Sequence, residues 1–300
     1  MKSLARLAAL SLFGTMACSK SDPATPDAAT PTIDAAADVT VEAGGGSCDL
    51  DAPFGTATLV DYHDAADGGA IPLSGFFRLD AKEERFAIFD AEQGPSTKIF
   101  LATRNGASFV AGKERVASAS VAHAYPALSP DGKLIYFSAI VNGKNAIHRA
   151  ESDAADLTSA EVWLSDAQEN LTLPYVPSAE ALYFIRGGAA MRVHVDLKSG
   201  KAGTPVAVDG VPANVNAIAV NAAETVLYYG EGSSFATASI HEMRKSGSTW
   251  TAKDAQPIAL VGLQKVESPT WLSADGCRLY VRGWPSVVDR AIYVVAKPKN

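Results

Sequence analysis

A short apolar-aromatic segment recurs along the chain at nearly constant spacing. The copies are Phe86–Phe89, Leu134–Phe137, Ala181–Phe184, Val226–Tyr229 and Arg278–Val281. Their central residues follow one another at intervals of 48, 47, 45 and 52 positions: Ile88, Tyr136, Tyr183, Tyr228 and Tyr280. A period of this length is typical of propeller blades and too long for most helical repeats. The spacing therefore predicts five β units, but no reaction, because propellers host many functions.

Each repeat divides into four short runs with alternating apolar residues, which predicts four strands per unit. The predicted innermost strands end near Leu79, Leu128, Val176, Val220 and Leu272. The recurring segment supplies the second strand. The predicted third strands are Ile99–Ala102, Ile147–Ala150, Val193–Asp196, Ile240–Met243 and Ile292–Val295. The predicted outer strands lie near Val116, Trp163, Val206 and Ile258.

The last repeat has no outer strand of its own. One strand-like run, Thr56–Val60, precedes the first repeat and can supply it. We therefore predict an all-β, five-bladed propeller of four-stranded antiparallel blades, closed by the N-terminal strand in a 1+3 arrangement. The stretch Asp61–Pro72 is longer than its counterparts, and we place the surplus in a loop. A further strand hidden there would favour six blades instead.

The first residues predict export. Lys2 and Arg6 precede an apolar run that is too short to span a membrane, so residues 1–17 are interpreted as a signal peptide. The run ends at Cys18 in a sequence similar to a bacterial lipobox, which predicts lipidation of Cys18, with plain secretion as the alternative. Residues 18–47 are rich in Ala, Asp, Thr and Pro and are interpreted as a disordered acidic tether. Residues 48–300 form the predicted propeller.

Two further cysteines fit the predicted closure. Cys277 opens the second strand of the last blade, and Cys48 lies shortly before the N-terminal strand. That strand would be two strand spacings, or about 10 Å, from the strand of Cys277. A Cys48–Cys277 disulfide is therefore reachable in an oxidising compartment. Two unpaired, partly buried thiols are the alternative.

The segment Ala124–Phe137, with its Ser-Pro-Asp-Gly turn, resembles the repeat of TolB-like and WD-repeat-like β-propellers. Ser268–Gly276 is a second good copy. In the other three repeats a different sequence stands at the turn: Asp80–Glu83, Pro177–Glu180 and Asn221–Glu224. The resemblance implies a propeller that serves as a binding or scaffolding module of the bacterial envelope. It carries over no catalytic residue.

No pattern for metal, cofactor or catalytic chemistry is found. His148, His194 and His241 fall in the same register of successive third strands, where the other repeats place Phe100 and Tyr293. This distribution predicts a packing position for a ring, and we predict neither a metal nor a cofactor. The predicted inner strands contain no Asp or Glu, which disfavours glycoside hydrolysis. The net charge of −7 disfavours nucleic acid as a partner.

Binding residues are expected on the loops around the propeller axis, because a rigid frame presents its loops for recognition. Arg282 and Trp284 are the main candidates, since exposed Trp and Arg are enriched at binding hot spots. The full candidate set is Trp284, Arg282, Arg186, His123, Asn170, Asn216 and Glu267.

The sequence thus predicts a monomeric, non-catalytic envelope lipoprotein that binds a protein, peptide or glycan. It would contact the outer membrane through the lipid anchor only. A soluble periplasmic or secreted protein is the alternative location. A periplasmic hydrolase with an atypical axial site and a structural spacer without ligand are the alternative functions.

Overall fold

The computed structural model describes residues 47–64, 77–90, 97–118, 125–154, 157, 160–196, 199–232, 234, 236–286 and 291–300. Within these ranges the regular elements are all β-strands, arranged in five sheets. The predicted signal peptide, Cys18, nearly all of the predicted tether and His123 lie outside the described residues.

The strands follow the order expected of propeller blades. Blade 1 contains β3 (Phe77–Leu79), β4 (Arg85–Asp90), β5 (Thr97–Asn105) and β6 (Ser108–Ser118). Blade 2 contains β7 (Ala127–Leu128), β8 (Leu134–Val141), β9 (Lys144–Glu151) and β10 (Glu161–Leu164). Blade 3 contains β11 (Leu171–Ser178), β12 (Ala181–Arg186), β13 (Ala189–His194) and β14 (Val206–Ala207). Blade 4 contains β15 (Val215–Val220), β16 (Val226–Glu231), β17 (Ser239–Ser246) and β18 (Thr249–Ala252).

Blade 5 contains β19 (Lys265–Leu272), β20 (Arg278–Trp284) and β21 (Ala291–Ala296), and takes its outer strand from β1 (Thr58–Leu59). The inner strands form a closed circle, because each lies beside the inner strands of both neighbouring blades. The fold is a five-bladed β-propeller, as the sequence predicts.

The N-terminal strand closes the ring as predicted. β1 runs antiparallel to β21, with Thr58 opposite Val294 and Leu59 opposite Tyr293. The Val60 N–H extends this pairing by donating to the Ile292 carbonyl at 3.0 Å. The 1+3 closure is therefore confirmed.

The surplus after β1 does hide a strand, but it adds no blade. β2 (Tyr62–Asp64) pairs in parallel with β6 and becomes a fifth strand at the outer edge of blade 1. The alternative of six blades is therefore wrong. We call residues 55–64 the closure strap. The strap also contacts the connection between blades 4 and 5, where the Ala57 N–H donates to the Val261 carbonyl at 2.8 Å.

The outer strand of blade 4 differs from the prediction. β18 follows β17 through a tight hairpin, so the outer strand begins at Thr249 and not near Ile258. Trp250 on β18 is buried, which explains why this earlier run takes the outer position. Ile258 still contacts the blade: its N–H donates to the Ile240 carbonyl at 2.8 Å, and its partly buried side chain packs against the core.

Turns without the Ser-Pro-Asp-Gly sequence use the same chemistry. Ser129 Oγ accepts the Leu134 N–H at 2.9 Å, and Ser273 Oγ accepts the Arg278 N–H at 2.8 Å. In the replaced turns Asp80 Oδ1 accepts the Glu84 N–H at 2.9 Å, and Asn221 Oδ1 accepts the Val226 N–H at 2.9 Å. A short side-chain acceptor at the first turn position therefore closes all four turns.

Two details of the repeat register are corrected. Ala87, not Ile88, occupies the tyrosine position of blade 1, because it lies opposite Arg78 as Tyr280 lies opposite Trp271. His194 lies opposite Ala181 at the end of β12, outside the slot that His148 and His241 share. In blade 3 that slot holds Met191, opposite Phe184. The position therefore accepts an aromatic ring or a flexible apolar side chain, as expected of a residue that packs against its neighbours.

The predicted disulfide is present. Cys48 and Cys277 are bonded, with 5.8 Å between their Cα atoms, and both residues are buried. The bond ties the residues that precede the closure strap to the start of β20. None of the described residues lies in a helix long and apolar enough to cross a membrane.

Candidate functional site

The candidate site lies at the axial mouth, the end of the central axis where the inner strands begin. Three residues without a glycine's freedom adopt positive φ there: Tyr125 (34°), Leu173 (55°) and Asn214 (68°). Tyr125 and Asn214 lie just before the inner strands of blades 2 and 4, and Leu173 is the third residue of the inner strand of blade 3. Such backbone costs on the order of 1–3 kcal/mol per residue and concentrates at functional sites. The strain makes this end of the axis the first place to look for a ligand.

A buried ion pair lies at the mouth in blade 5. Arg282 Nη2 on β20 contacts Glu267 Oε1 on β19. Arg282 is 9% exposed and Glu267 is 4% exposed. Removing two charges from water is costly, so a buried pair is weak evidence for stability and calls for another explanation. The sequence predicted both residues as binding residues, and the structure brings them together.

Tyr125 from blade 2 interacts with this pair. Burial raises the pKa of the Tyr125 phenol, and the positive charge of Arg282 opposes the effect in part. The phenol is therefore neutral at physiological pH and keeps its O–H as a donor. Tyr125 and Arg282 therefore bring together blades 2 and 5, which are not neighbours in the ring because blade 1 lies between them.

Asn216 of blade 4 lies against the same part of blade 5. Its Nδ2 donates to the Gly232 carbonyl, while its buried Oδ1 has no hydrogen-bond partner among the described residues. A Cβ added at Gly230 would collide with Asn216 Oδ1 and lie 3.2 Å from the Glu267 carbonyl oxygen. The absence of a side chain at Gly230 thus leaves the room that Asn216 Oδ1 occupies where these two blades meet. We call Tyr125, Asn216, Glu267 and Arg282 the axial cluster.

Two predicted residues make contacts elsewhere. Arg186 Nη1 lies 3.5 Å from Asp166 Oδ2. Asn170 Oδ1 accepts the Asn145 N–H at 2.9 Å. Both contacts hold the connection between β10 and β11 against a strand, β12 or β9, so they have a structural role whether or not a ligand also binds there.

Trp284 is not the exposed aromatic that the sequence suggested. It is 7% exposed, so the expectation of an exposed indole is wrong. β20 extends to Trp284, which lies opposite Lys265 and accepts the Gln264 N–H at its carbonyl oxygen at 2.8 Å. The residue thus belongs to the blade and not to the loop beyond it.

A residue that the sequence interpretation missed lies deeper along the axis. Tyr175 on β11 donates its O–H to the Val220 carbonyl at 2.8 Å, and its oxygen accepts the Leu272 N–H at 3.2 Å. The Arg78 guanidinium lies 5.1 Å from the centre of the Tyr175 ring. Burial raises the pKa of Tyr175 to about 12 and lowers the pKa of Arg78 to about 10. Tyr175 therefore links blades 3, 4 and 5 below the axial cluster.

One trio resembles a hydrolytic triad in composition only. Ser239 Oγ lies 3.2 Å from His241 Nε2, and Glu231 Oε2 lies 3.8 Å from the same nitrogen. A triad needs the nucleophile and the carboxylate on opposite ring nitrogens. The described residues also contain no group of three metal-binding side chains that could hold an ion.

Comparison with known proteins finds solved structures that are distantly similar to this chain. No protein-family model and no curated protein matches the chain. Among solved structures, TolB from Acinetobacter baumannii is similar at 14% identity, with 75% of this chain and 55% of that chain covered and a TM-score of 0.43. A TolB from Agrobacterium tumefaciens, described as putative, is similar at 14% identity, with 72% of each chain covered and a TM-score of 0.43. An oligogalacturonate lyase in complex with manganese is similar at 10% identity, with 79% of this chain and 68% of that chain covered and a TM-score of 0.43.

These likenesses are too distant to assign an activity to this chain. The propeller assignment therefore rests on the strand pairing described above, and the function must be argued from the site. An arginine inside an otherwise apolar inner-strand run, as at Arg78, is the sequence signal that would have directed attention to the deeper axis.

Proposed function

We propose that this protein is a non-catalytic binding module of the bacterial cell envelope, whose propeller binds a protein, peptide or glycan at the axial mouth. The axial cluster carries the proposal. It combines a buried charge pair, a neutral phenol and an amide oxygen without a hydrogen-bond partner among the described residues. These groups can hydrogen-bond a polar ligand, and they lack a paired nucleophile and base.

The electrostatics favour a ligand without large net charge. Glu267 neutralises Arg282, so the cluster has no excess charge. Arg282 carries several N–H donors in a fixed planar arrangement, and Asn216 Oδ1 is an acceptor without a partner among the described residues. Peptide amides and sugar hydroxyls both supply matching donors and acceptors.

The hydrolase alternative has less support. Two carboxyl groups about 5–10 Å apart would be needed for glycoside hydrolysis. Within the axial cluster the one carboxylate is Glu267, and Arg282 pairs with it. Release of reducing ends from envelope glycans by the purified protein would nevertheless favour hydrolysis over binding.

Pull-down from detergent-solubilised envelope tests the binding proposal. The variant should be Arg282→Met together with Glu267→Gln, because a single change would leave an unpaired buried charge. Lys133→Ala is the control, since Lys133 is exposed. It lies on the turn after the inner strand of blade 2, at the end of the central axis away from the axial mouth. We expect the axial variant to lose a partner that the control keeps. Identical partners for both variants would reject the axial mouth as the site, and no partner for any form would favour the spacer.

We also propose that Cys18 is lipidated and that residues 18–47 tether the propeller to the outer membrane. The support is the lipobox-like sequence that ends at Cys18. The intact mass of the mature protein tests the proposal, with a diacylglyceryl addition expected at an N-terminal Cys18. A mature protein that begins elsewhere without a lipid would support the secreted or periplasmic alternative.

A further inference from the structure

The residues that lead into the closure strap are held far more firmly than the strap itself. We call Ser47–Phe54 the anchor segment. Cys48 is bonded to Cys277 and forms a β-bridge with Lys299. The Asp49 N–H donates to the Pro298 carbonyl at 3.1 Å, and the Asn300 N–H donates to the Ser47 carbonyl at 3.1 Å. The anchor segment is thus joined to blade 5 by a covalent bond and a row of backbone contacts.

Lys297 adds a second set of contacts. Its ammonium group donates to the Leu50 carbonyl at 2.7 Å and to the Ala52 carbonyl at 2.9 Å. It also lies 4.5 Å from the centre of the Phe54 ring. The side chain of Lys297 is 1% exposed, so these interactions take place away from water. Such charge-assisted hydrogen bonds are stronger than neutral ones.

Blade 4 also holds the anchor segment. Lys253 Nζ donates to the Asp51 carbonyl at 3.2 Å, and Arg244 Nη2 donates to the Leu50 carbonyl. The Phe54 ring packs 5.8 Å from the ring of Tyr228, which lies in the core. The anchor segment therefore bridges two blades before the chain reaches the strap.

The closure strap that follows is held by short edge strands. β1 has two residues and β2 has three, and each lies at an outer edge of its blade. Tension along an edge strand can break its hydrogen bonds one after another. The strap pairs with blade 5 through β1 and with blade 1 through β2, so its release would remove the outer connection between these two blades.

We propose that the anchor segment carries mechanical load from the chain upstream of Ser47, so that tension ends at Cys48 and does not reach the closure strap. The disulfide passes the load to Cys277 at the start of β20. β20 is flanked by β19 and β21, so it cannot leave the blade without breaking hydrogen bonds on both sides. This inference goes beyond the proposed binding function and does not depend on the ligand or on how the upstream chain is held.

Single-molecule stretching of the full chain tests the proposal. One handle is joined upstream of Ser47 and the other is ligated into the exposed turn at Asn142-Gly143, so that no cysteine is added. For the oxidised protein we expect no extension before the blades unfold. For Cys48→Ser with Cys277→Ser we expect an early low-force step of about 10 nm, the contour length of the roughly 28 residues between Cys48 and β3.

A third variant separates load-bearing from general stability. Tyr62→Ala weakens β2, because Tyr62 packs 5.0 Å from the ring of Phe86. It should leave the force trace of the oxidised protein unchanged up to blade unfolding, and should lower the force of the early step in the double-serine background. Where the double-serine variant does not fold, the folded wild-type protein is reduced in place. An early step in the oxidised protein, or its absence after the disulfide is removed, would overturn the proposal.

Discussion

Glu83 of blade 1 forms an ion pair with Arg278 of blade 5, although 195 residues separate them, with Arg278 Nε donating to Glu83 Oε1 at 2.8 Å. Tyr280 donates its O–H to the other carboxylate oxygen at 3.0 Å. Glu83 adopts a φ of 59°, and the equivalent turn position in blades 2 and 5 is a glycine with positive φ, Gly132 or Gly276. A strained glutamate thus replaces a glycine where its carboxylate joins the first and last blades.

Glu83→Ala should destabilise the ring closure. The change leaves the half-buried Arg278 without its carboxylate and keeps the backbone strain, which predicts a loss of about 3 kcal/mol in the free energy of unfolding. Urea denaturation measures the effect. Lys133→Ala, at an exposed position, should change stability by less than about 0.5 kcal/mol. Equal stabilities for both variants would show that the Glu83–Arg278 ion pair does not stabilise the ring closure.

Glu224 should contribute to instability in acid. Burial raises its pKa, but hydrogen bonds from Arg192 and Tyr183 and the charge of Lys245 outweigh burial, so the pKa lies below its ordinary value of 4.5. A carboxyl with a lowered folded pKa stabilises the fold above pH 4.5 and loses this contribution as the pH falls through the folded value. Glu224→Gln should therefore flatten stability against pH below about 4.5. A curve parallel to that of wild type in this range would count against the prediction.

His148 should make stability fall in mild acid. Burial lowers its pKa below 6.5, although a hydrogen bond to the Ala160 carbonyl opposes the effect. As the pH falls, His148 is therefore protonated in the unfolded chain before it is protonated in the folded chain. Its contribution to the free energy of unfolding is complete above pH 6.5 and is lost as the pH falls through the folded pKa. Thermal denaturation at pH 5 and pH 8 should show a smaller difference for His148→Phe. The fold should tolerate this change because Phe100 occupies the same slot in blade 1.

Tyr175→Phe tests the central link. The substitution keeps the aromatic ring beside Arg78 but removes the hydroxyl. This hydroxyl donates a hydrogen bond to the Val220 carbonyl and accepts one from the Leu272 N–H. Leaving such buried groups unpaired costs about 1–3 kcal/mol each, so we expect a loss in that range or above it. Chemical denaturation gives the value, and hydrogen exchange at the Leu272 amide should become faster. Unchanged exchange there would exclude a role for this hydroxyl.

Gly210→Ala should be more harmful than Gly247→Ala. Both glycines have positive φ, 85° and 64° respectively, so both substitutions carry a backbone cost of about 1 kcal/mol. At Gly210 the new Cβ would also overlap the Trp250 carbonyl oxygen, whereas nothing lies within 4 Å at Gly247. We expect an additional loss of about 1–3 kcal/mol for Gly210→Ala in urea denaturation. Similar losses for the two variants would contradict the crowding at Gly210.

The sequence alone predicted five blades, the 1+3 closure and the pairing of Cys48 with Cys277, and the structure confirmed all three. These follow from strand periodicity, turn residues and strand spacing, which are local properties that a chain repeats. The tertiary structure decided that β2 joins blade 1, that Ala87 and not Ile88 takes the tyrosine position, and that Trp284 is covered. It also brought Glu267 and Arg282 to Tyr125 and Asn216, and Tyr175 to the backbones of two other blades. Such contacts join residues from separate blades, so they depend on how the sheets pack around the axis, which no local pattern specifies.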